Sequence, residues 1–422
     1  MFTKKIVISI FLTGIVSICF FENFVFAQSK NQLSTKQLLG QINTITTGVP
    51  FLLITPDSRN GAMGDAGVAS SPTANSMHWN PSLYGFVEKT SGISIAYTPW
   101  LKALVPDISL TYLSGYYKLQ KKGTLAASLR YFSMGNITFT DNRGEVLRQF
   151  EPKEFAIDAG YGIKLSDNFA GGGAIRFINS NLTGGTPVEG SQTRAGISVA
   201  SDISGTYQSD EKEIKGKKTI IRSGINISNI GAKISYSDRG EKSFIPINMR
   251  IGSSMDVKLD DYNDISFAFD INKLLVPTIP IYQLDSTGYP DKDINTGDYI
   301  ILKGKDPNRS VVNGILGSFN DAPGGFREEL REFTLGGGFE YWYAKQFALR
   351  AGYFHEHKTK GNRKYITFGI GVKYSVFGLD FSYLVPLEQQ HPLQNTLRFT
   401  LLFDLNAFKE QDLPAENNKI SK

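Results

Sequence analysis

Hydrophobic and polar residues alternate with a period of two along most of the chain beyond Gly92. The stretch from Tyr365 to Tyr374 is the clearest example. One of its faces is apolar and consists of Ile366, Phe368, Ile370, Val372 and Tyr374. The opposite face carries Tyr365, Thr367, Gly369, Gly371 and Lys373. Because successive side chains of a β-strand point to opposite sides, this pattern predicts strands with one apolar face.

The same alternation recurs often enough to predict an all-β chain. We assign about fourteen such segments, an even number as in bacterial outer-membrane barrels. They lie near residues 92–100, 107–117, 123–133, 154–165, 168–178, 194–207, 218–228, 244–258, 263–274, 329–341, 346–355, 363–374, 376–385 and 395–405. Strands of soluble β-sandwiches also have one apolar face. These segments, however, reach about ten residues, the length that a tilted strand needs to cross a bilayer. Aromatic residues near their tips resemble interfacial girdles. The sequence therefore predicts a transmembrane antiparallel β-barrel.

The connections between these segments alternate between short and long. The short ones include 119–122, 166–167, 259–262 and 343–345, whereas 208–217 is somewhat longer. The long ones include 134–153, 179–193, 229–243 and, above all, 275–328. Short periplasmic turns and long outer loops explain this alternation if both chain ends are periplasmic. The segment 275–328 is a polar, proline-containing outer loop, and a loop of that length is either functional or disordered.

The N-terminus predicts a cleaved signal peptide. Lys4 and Lys5 precede an almost wholly apolar stretch, and Ala27 ends a small-residue cleavage pattern, so residues 1–27 are expected to be removed. An N-terminal membrane anchor is the alternative. The only cysteine, Cys19, lies in this segment, so the mature chain has no thiol for a disulfide or a metal. No other apolar stretch is long enough to predict a transmembrane helix.

We expect the mature chain to have three parts. Residues 28–91 form an N-terminal extension and lumenal plug, residues 92–405 form the barrel, and residues 406–422 form a polar periplasmic tail. High glycine, phenylalanine and tyrosine contents favour such a β-rich chain. The formal net charge of +5 falls by one on loss of the signal peptide, which is too little to indicate nucleic-acid binding.

A glycine-rich stretch from Ser58 to Pro81 invites a nucleotide-binding interpretation. Gly61, Gly64 and Gly67 are three residues apart. A dinucleotide site needs G-x-G-x-x-G inside a βαβ unit, and a Walker A loop needs Gly-Lys-Ser/Thr; neither pattern occurs here. The acidic residues also lack the spacing of an EF-hand. We interpret the stretch as a close-packed plug in which glycine lets backbones approach each other and Arg59 and Asp65 pair with lumen charges.

Charged residues on the polar strand faces are expected to line the lumen. They are Arg130, Asp158, Lys164, Arg176, Arg250, Asp256, Asp270, Arg350, Lys373, Arg398 and Asp404. They could form a charge-lined passage, but mutual pairing and pairing with the plug is the favoured interpretation. His355, His357 and His391 could meet on the outer loops, although exposed loop histidines are more common than ligands. We predict no metal, no cofactor and no enzymatic motif of the Gly-x-Ser-x-Gly or His-Glu-x-x-His type.

Part of the glycine-rich region resembles a known family. Arg59, Ala62-Met63-Gly64, Ala66-Gly67-Val68-Ala69 and Asn80-Pro81 resemble the N-terminal hatch of FadL-like outer-membrane barrels, which have fourteen strands. More specifically, residues 48–86 are similar to the start of the PorV family of the type IX secretion system in Bacteroidetes. The resemblance implies a structural plug motif consisting of Arg59, Gly61, Gly64, Asp65, Gly67, Asn80 and Pro81.

That resemblance also implies a function and partners. A PorV-like protein resides in the outer membrane and associates with a large translocon barrel. It receives cargo that carries a C-terminal signal domain and passes it to a surface attachment complex with a sortase-like protease. The lipid bilayer and lipopolysaccharide are further expected partners, and no catalysis belongs to the protein itself. Two alternatives remain open: a FadL-like transporter of hydrophobic small molecules, and an enzyme that modifies lipid A.

Overall fold

The structure, a computed structural model, describes residues 42–405 apart from 103, 120–121, 141–142, 187–191, 238–241 and 389–390. The predicted signal peptide, the start of the N-terminal extension and the C-terminal tail therefore lie outside the described residues. The described strands are β1 (Ser91–Pro99), β2 (Ser109–Lys118), β3 (Thr124–Ser133), β4 (Ile137–Thr140), β5 (Val146–Phe150), β6 (Lys153–Lys164), β7 (Phe169–Asn181), β8 (Gly196–Gln208), β9 (Lys212–Ile214), β10 (Lys217–Gly231), β11 (Asn248–Lys258), β12 (Asn263–Leu274), β13 (Ile281–Tyr282), β14 (Ile301–Lys303), β15 (Thr334–Tyr343), β16 (Phe347–His355), β17 (Lys364–Tyr374), β18 (Phe377–Pro386) and β19 (Thr396–Asp404).

Fourteen of these strands close into an antiparallel barrel, which confirms the predicted fold class. Each barrel strand pairs with the next one along the chain. The first and last strands complete the ring, since Ile95 of β1 lies opposite both Leu113 of β2 and Leu401 of β19. The remaining strands, β4, β5, β9, β13 and β14, are short extensions in the connections. Closure leaves no unpaired sheet edge, as a membrane-embedded sheet requires.

The outward face of the barrel is apolar. On β17 the side chains of Phe368, Ile370 and Val372 are exposed, whereas the residues between them are buried. Exposed aromatic residues collect where the strands meet the short connections; they are Tyr117, Phe169, Tyr207, Tyr343 and Tyr374. An apolar band with an aromatic girdle is the surface that a bilayer requires. None of the helices that the structure describes has the length and apolar character of a membrane span.

The two ends of the barrel differ as predicted. At one end, here the long-loop end, lie the connections 100–108, 134–152, 182–195, 232–247, 275–333, 356–363 and 387–395. At the other, the short-turn end, lie 119–123, 165–168, 209–216, 259–262, 344–346 and 375–376. Among the described residues, four short α-helices accompany the barrel: α1 (Ser58–Gly61), α2 (Ser76–Trp79), α3 (Val311–Gly317) and α4 (Phe326–Arg331).

Two predicted strand starts are wrong. We expected strands to begin at residues 244 and 329, but β11 begins at Asn248 and β15 at Thr334. Pro246 has no N–H to donate to a neighbouring strand, which delays the start of β11. Residues 326–331 form helix α4 instead of strand, because Glu329 accepts a hydrogen bond from the Ala322 N–H at 2.8 Å and holds the chain back on itself.

Candidate functional site

Residues 48–87, here called the inner segment, run through the barrel from the long-loop end to the short-turn end. At the long-loop end, the Gly48 N–H donates to the Phe244 carbonyl at 2.8 Å. At the short-turn end, Lys118 at the end of β2 donates to the Val87 carbonyl at 2.7 Å. Between these points the inner segment contacts inward-facing side chains of strands around the barrel. The proposed domain boundaries at 28 and 91 stay a prediction.

Apolar side chains fill the lumen towards the long-loop end. Val49, Phe51 and Leu52 are buried there, and the Phe51 ring stacks on Phe132 with the ring centroids 6.2 Å apart. The other buried members of this cluster are Leu110, Ala156, Ile178, Ala200, Ile234, Phe244, Ile245, Ile247, Leu275 and Val276. Burying one large apolar side chain contributes about 1.5–3 kcal/mol, so this cluster is a substantial part of what holds the inner segment in place.

Helix α1 begins at a buried, fully bonded aspartate. The carboxylate of Asp57 accepts from the Asn60 N–H at 2.9 Å, as an N-cap residue does, and from the Trp79 indole N–H at 2.6 Å. The next residue, Ser58, donates its N–H to Thr400 of β19 at 2.8 Å. One aspartate therefore joins α1 to α2, and one serine joins α1 to the barrel wall.

Gly64 lies where the inner segment touches the wall backbone. Its φ of +68° is in the left-handed region that glycine adopts without strain. Its N–H donates to the Thr367 hydroxyl at 3.0 Å, and that hydroxyl donates to the Ala62 carbonyl at 2.9 Å. A Cβ at Gly64 would lie 2.6 Å from the carbonyl oxygen of Gly337 and closer still to that of Tyr353. Both the conformation and the space therefore exclude a side chain.

The wall facing the inner segment also contains glycine. A Cβ at Gly338 would lie 2.6 Å from the Met63 Cα, and one at Gly352 would lie 2.7 Å from the same atom. A second close contact occurs on the other side of the barrel, where a Cβ at Gly162 would lie 2.6 Å from the Pro81 carbonyl oxygen. Glycines on both surfaces, Gly64 among them, let backbone approach backbone. The plug role of the glycine motif as a whole stays a prediction.

Asp270 and Asn80 fix the middle of the inner segment. The Asp270 carboxylate on β12 accepts from the backbone N–H groups of Gly67 at 2.7 Å and Val68 at 2.9 Å. The Asn80 side-chain amide donates to the Val68 carbonyl at 2.7 Å and to Thr206 of β8 at 2.9 Å. The structure thus brings together Gly67, Asn80 and Asp270, which the sequence analysis named separately.

A buried ion-pair network joins Arg59 of the inner segment to the wall. Arg59 donates to both carboxylate oxygens of Glu340, at 2.7 and 2.9 Å. Arg350 donates to the same carboxylate at 2.6 Å and to Asp380 at 2.7 Å. We expected Arg59 to meet lumen charges and Arg350 to be one of them, but the sequence analysis missed Glu340 and Asp380. Their alternation with outward-facing neighbours on β15 and β18 is the signal that could have identified them.

Arg176 balances its charge within the wall. Its guanidinium pairs with Asp158 at 2.5 Å and with Asp202 at 3.1 Å, so three neighbouring strands are joined. Asp202 is a further residue that the sequence analysis missed. Arg176 thus has its carboxylate partners inside the packed wall. The interpretation that the lumen charges as a set serve to hold the structure together stays a prediction.

Arg130, Arg250 and Arg398 face the inner segment. Arg130 lies over the Tyr112 ring, 5.4 Å from the ring centroid, and also contacts His78. Arg250 lies over the Trp79 ring, 4.9 Å from its centroid, and donates a hydrogen bond to the His78 carbonyl at 3.0 Å. Arg398 lies 3.7 Å from the Asp65 carboxylate. The six lumen charges that we named as site residues, Arg130, Arg176, Arg250, Asp270, Arg350 and Arg398, are all buried.

The remaining lumen charges lie towards the short-turn end. Lys164 is exposed and pairs with Asp167 at 3.2 Å in the turn that follows β6. A cavity of about 480 Å³ lies at this end beneath the inner segment. The charged residues around it include Arg59, Asp256, Glu340, Lys373, Asp380 and Asp404. Both signs of charge are present in similar number, so the cavity has no marked preference for an anion or a cation.

A second buried charge cluster fixes the long connection 275–333 to the rim. Lys273 at the end of β12 pairs with Glu329 at 3.2 Å and Glu332 at 2.5 Å. Lys360, from the connection 356–363, pairs with Glu328 at 2.6 Å and with Glu332 at 3.0 Å. We call these five residues the rim cluster. Burial alone would raise the pKa of Glu328, but hydrogen bonds from Lys360 and the Gly324 N–H outweigh it and lower that pKa.

Histidine does not assemble into a metal site in the part of the chain that the structure describes, where no group of three or more His, Cys, Asp or Glu side chains is arranged around a common point. His78 lies in the inner segment between two arginines. His357 and His391 lie in different connections at the long-loop end. Burial lowers the pKa of both, and in each case a nearby arginine lowers it further.

Several solved structures are similar to this chain at low identity. The toluene transporter TbuX of Ralstonia pickettii is 11% identical with a TM-score of 0.43, over 82% of this chain and 97% of that one. The toluene transporter TodX of Pseudomonas putida is 11% identical with a TM-score of 0.43, over 86% and 98%. A FadL homologue of Pseudomonas aeruginosa is 11% identical with a TM-score of 0.39, over 86% and 99%. A search of the curated proteins found no match.

A protein-family comparison gives a direct assignment. The family described as type IX secretion system protein PorV matches residues 37–281, which is more than half of the chain. The matched range contains the whole inner segment and the barrel strands from β1 to β12. It thus covers the Asp270 and Asn80 contacts and the start of the connection 275–333, whereas the wall residues that meet Gly64 lie beyond it. The chain therefore belongs to the PorV family of type IX secretion system proteins.

Proposed function

We propose that this outer-membrane barrel binds secreted cargo at its long-loop end instead of conducting a substrate through its lumen. The cargo carries a C-terminal signal domain, and the barrel receives it beside the large translocon barrel. It then delivers the cargo to a surface attachment complex that includes a sortase-like protease. The observation that carries the proposal is the inner segment, which occupies the lumen and is bonded to strands around the wall.

The connection 275–333 is the main candidate for the cargo-binding surface. Its strands β13 and β14 pair with each other. The chain between them and on β14 presents exposed apolar side chains, among them Tyr289, Ile294 and Leu302. The Asp285 carboxylate accepts hydrogen bonds from the N–H groups of Thr287 at 2.8 Å and Tyr289 at 3.0 Å, which orders the turn. Exposed apolar side chains on an ordered loop are typical of protein-binding surfaces.

The structure also shows how to test this surface without disturbing the barrel. Residues 311–332 contain the three glutamates of the rim cluster and should stay in place, because their loss would leave Lys273 and Lys360 buried without partners. We therefore expect replacement of residues 283–300 by a short glycine-containing turn to leave the barrel folded and to abolish cargo capture. A matched control shortens the other long-loop hairpin, residues 138–149. Co-purification of cargo in undiminished yield with the 283–300 replacement would refute the assignment.

FadL-like transport of hydrophobic molecules is the second candidate function. It requires a path for an apolar molecule near the outer end of the lumen. In the described residues, Val49, Phe51 and Leu52 pack against wall residues at that end. Mass spectrometry of compounds extracted from the pure protein distinguishes the two: a retained fatty acid or detergent would favour transport, and its absence with cargo still bound would favour capture.

A further inference from the structure

Helix α4 is amphipathic in the opposite sense to a helix on a soluble protein. Its two glutamates, Glu328 and Glu329, are buried, whereas Phe326 and Leu330 are 75% and 55% exposed. The two arginines of the helix, Arg327 and Arg331, are also exposed. A surface helix in water normally turns its charged face outward and its apolar face to the core. The exposed face of α4 is therefore suited to surroundings other than bulk water.

The position of α4 follows from its contact with Lys273. On β12 the outward-facing positions Phe267, Phe269 and Ile271 are exposed, and Lys273 is the next position with the same alternation. Lys273 is nevertheless fully buried, because Glu329 and Glu332 cover it and the Phe333 ring lies 5.3 Å from its ammonium group. Helix α4 thus lies beside the outward face of β12, directly beyond the apolar band.

The neighbouring helix α3 continues the same exposed apolar surface. Val311 and Ile315 pack against the apolar cluster at the long-loop end. On the other side of α3, Val312 and Leu316 are exposed, as is Phe319 just beyond the helix. Since the Lys273 ammonium lies 5.7 Å from the Phe319 ring, this surface meets α4 at the rim cluster. The exposed faces of α3 and α4 together extend the bilayer-facing band towards the long-loop end.

We propose that α3 and α4 lie in the membrane interface at the long-loop end and bind the phosphorylated glycolipid of that leaflet. Phe326, Leu330 and Leu316 contact acyl chains, since they continue the band formed by Phe269 and Ile271. Arg327 and Arg331 contact the phosphates, because a long basic side chain can keep its stem in the apolar zone while its charge reaches the headgroups. The nearby carboxylates of Glu328 and Glu332 pair with Lys360.

This arrangement explains why Lys273 is covered by the glutamates of the rim cluster. A lysine at the outer edge of the apolar band would be costly if it faced lipid. Glu329 and Glu332 neutralise Lys273, and α4 then offers lipid a face of phenylalanine and leucine in its place. The labelled residues 326 and 330 lie outside residues 283–300, which the cargo test replaces, so the two proposals can fail separately.

Spin labels in the full barrel test the proposal, since the predicted mature chain contains no cysteine. Phe326→Cys and Leu330→Cys are labelled and reconstituted in phosphatidylcholine vesicles with and without lipid A. Phe269→Cys serves as the lipid control, and Ile294→Cys, whose side chain is 99% exposed, serves as the water control. We expect the labels at 326 and 330 to collide with oxygen and to avoid a water-soluble nickel chelate, as the label at 269 does.

A second measurement addresses the headgroup. Each of Arg327→Gln and Arg331→Gln should weaken lipid A retention about fivefold, whereas Arg148→Gln in the β5 hairpin should not. Nickel accessibility at 326 and 330 equal to that at 294 would overturn the proposal. Burial of those labels only when the secretion barrel is present would also overturn it, in favour of a protein partner. Lipid A retention unchanged in both arginine variants would refute the headgroup contact.

Discussion

Gly64 offers the sharpest test of how the inner segment is held. In Gly64→Ala, the single added carbon would lie 2.6 Å from the Gly337 carbonyl oxygen. That neighbour is backbone within a hydrogen-bonded barrel, so it cannot turn aside as a flexible side chain could. Either the wall shifts or the inner segment retreats from it. Retreat would also break the hydrogen bonds that Thr367 makes with Gly64 and Ala62.

The magnitude can be built from separate contributions. A non-glycine residue in the left-handed region costs about 1–2 kcal/mol. Forcing one extra carbon into a close-packed contact costs about 1–3 kcal/mol more. Losing the Thr367 hydrogen bonds costs about 1 kcal/mol each if the segment retreats instead of the wall shifting. We therefore expect Gly64→Ala to destabilise the docked inner segment by about 2–5 kcal/mol.

Gly216→Ala is the matched control. Gly216 has a similar φ of +75° in the turn between β9 and β10, but no heavy atom lies within 4 Å of its Cβ position. It therefore carries the backbone cost of about 1–2 kcal/mol without the clash. The difference between the two variants isolates the contact with the wall.

The assay combines unfolding of the barrel in detergent with permeation of small solutes into proteoliposomes. We expect Gly64→Ala to lower the midpoint of denaturant unfolding well below that of Gly216→Ala and to increase permeation, because a loosened inner segment leaves the lumen partly open. Equal midpoints and equal permeation for the two variants would refute the proposed close contact at Gly64.

Three further changes have defined outcomes. Glu340→Gln leaves Arg59 and Arg350 buried without their shared carboxylate and should lower the free energy of unfolding by about 3–5 kcal/mol. Denaturant unfolding measures this change. Asp167→Asn, in an exposed turn, is the control and should leave the free energy of unfolding almost unchanged. Asp270→Asn keeps one carbonyl acceptor for the Gly67 N–H and should lower the free energy of unfolding by only about 1–2 kcal/mol. A decrease as large as that in Glu340→Gln would contradict this expectation. Because the folded pKa of Glu328 is lowered, its stabilising contribution is present above its ordinary value of 4.5 and is lost as pH falls through the folded pKa. Protease cleavage within 275–333 should therefore increase in acid but not between neutral and mildly alkaline pH.

The sequence alone predicted the barrel well, because the underlying signal is local. Alternation on β17 separates Phe368 and Ile370 from Thr367 and Gly369, and this separation depends only on the geometry of an extended chain. Strand number, the alternation of loop lengths and the inward placement of charges such as Arg350 and Asp270 follow from repeating that argument. One of the two wrong strand starts has a local cause, Pro246 before β11. The other lies in α4, where a contact between residues far apart in sequence overrides the pattern, because Glu329 pairs with Lys273 of β12.

The candidate site was predictable only in its parts. The glycine-rich stretch predicted a close backbone contact without identifying the other segment. Arg59 predicted an ion pair in the lumen without identifying the carboxylate. Which wall residues meet them depends on how the barrel closes, and closure is set by pairing across the whole ring. Glu340, Asp380 and Thr367 are separated from the inner segment by roughly 300 residues of chain, so no local pattern could connect them.

The sequence by itself determined that this protein is a membrane barrel and which side chains face lipid. The reason is that the alternation of apolar and polar residues depends only on neighbouring residues of each strand. Only the tertiary structure decided that the inner segment runs through the lumen from end to end. Only it decided that Gly64 meets a glycine-containing wall, and that α4 turns its carboxylates inward and its phenylalanine outward. The physical reason is that these features are contacts between segments far apart in the chain, and such contacts exist only once the ring of strands has closed.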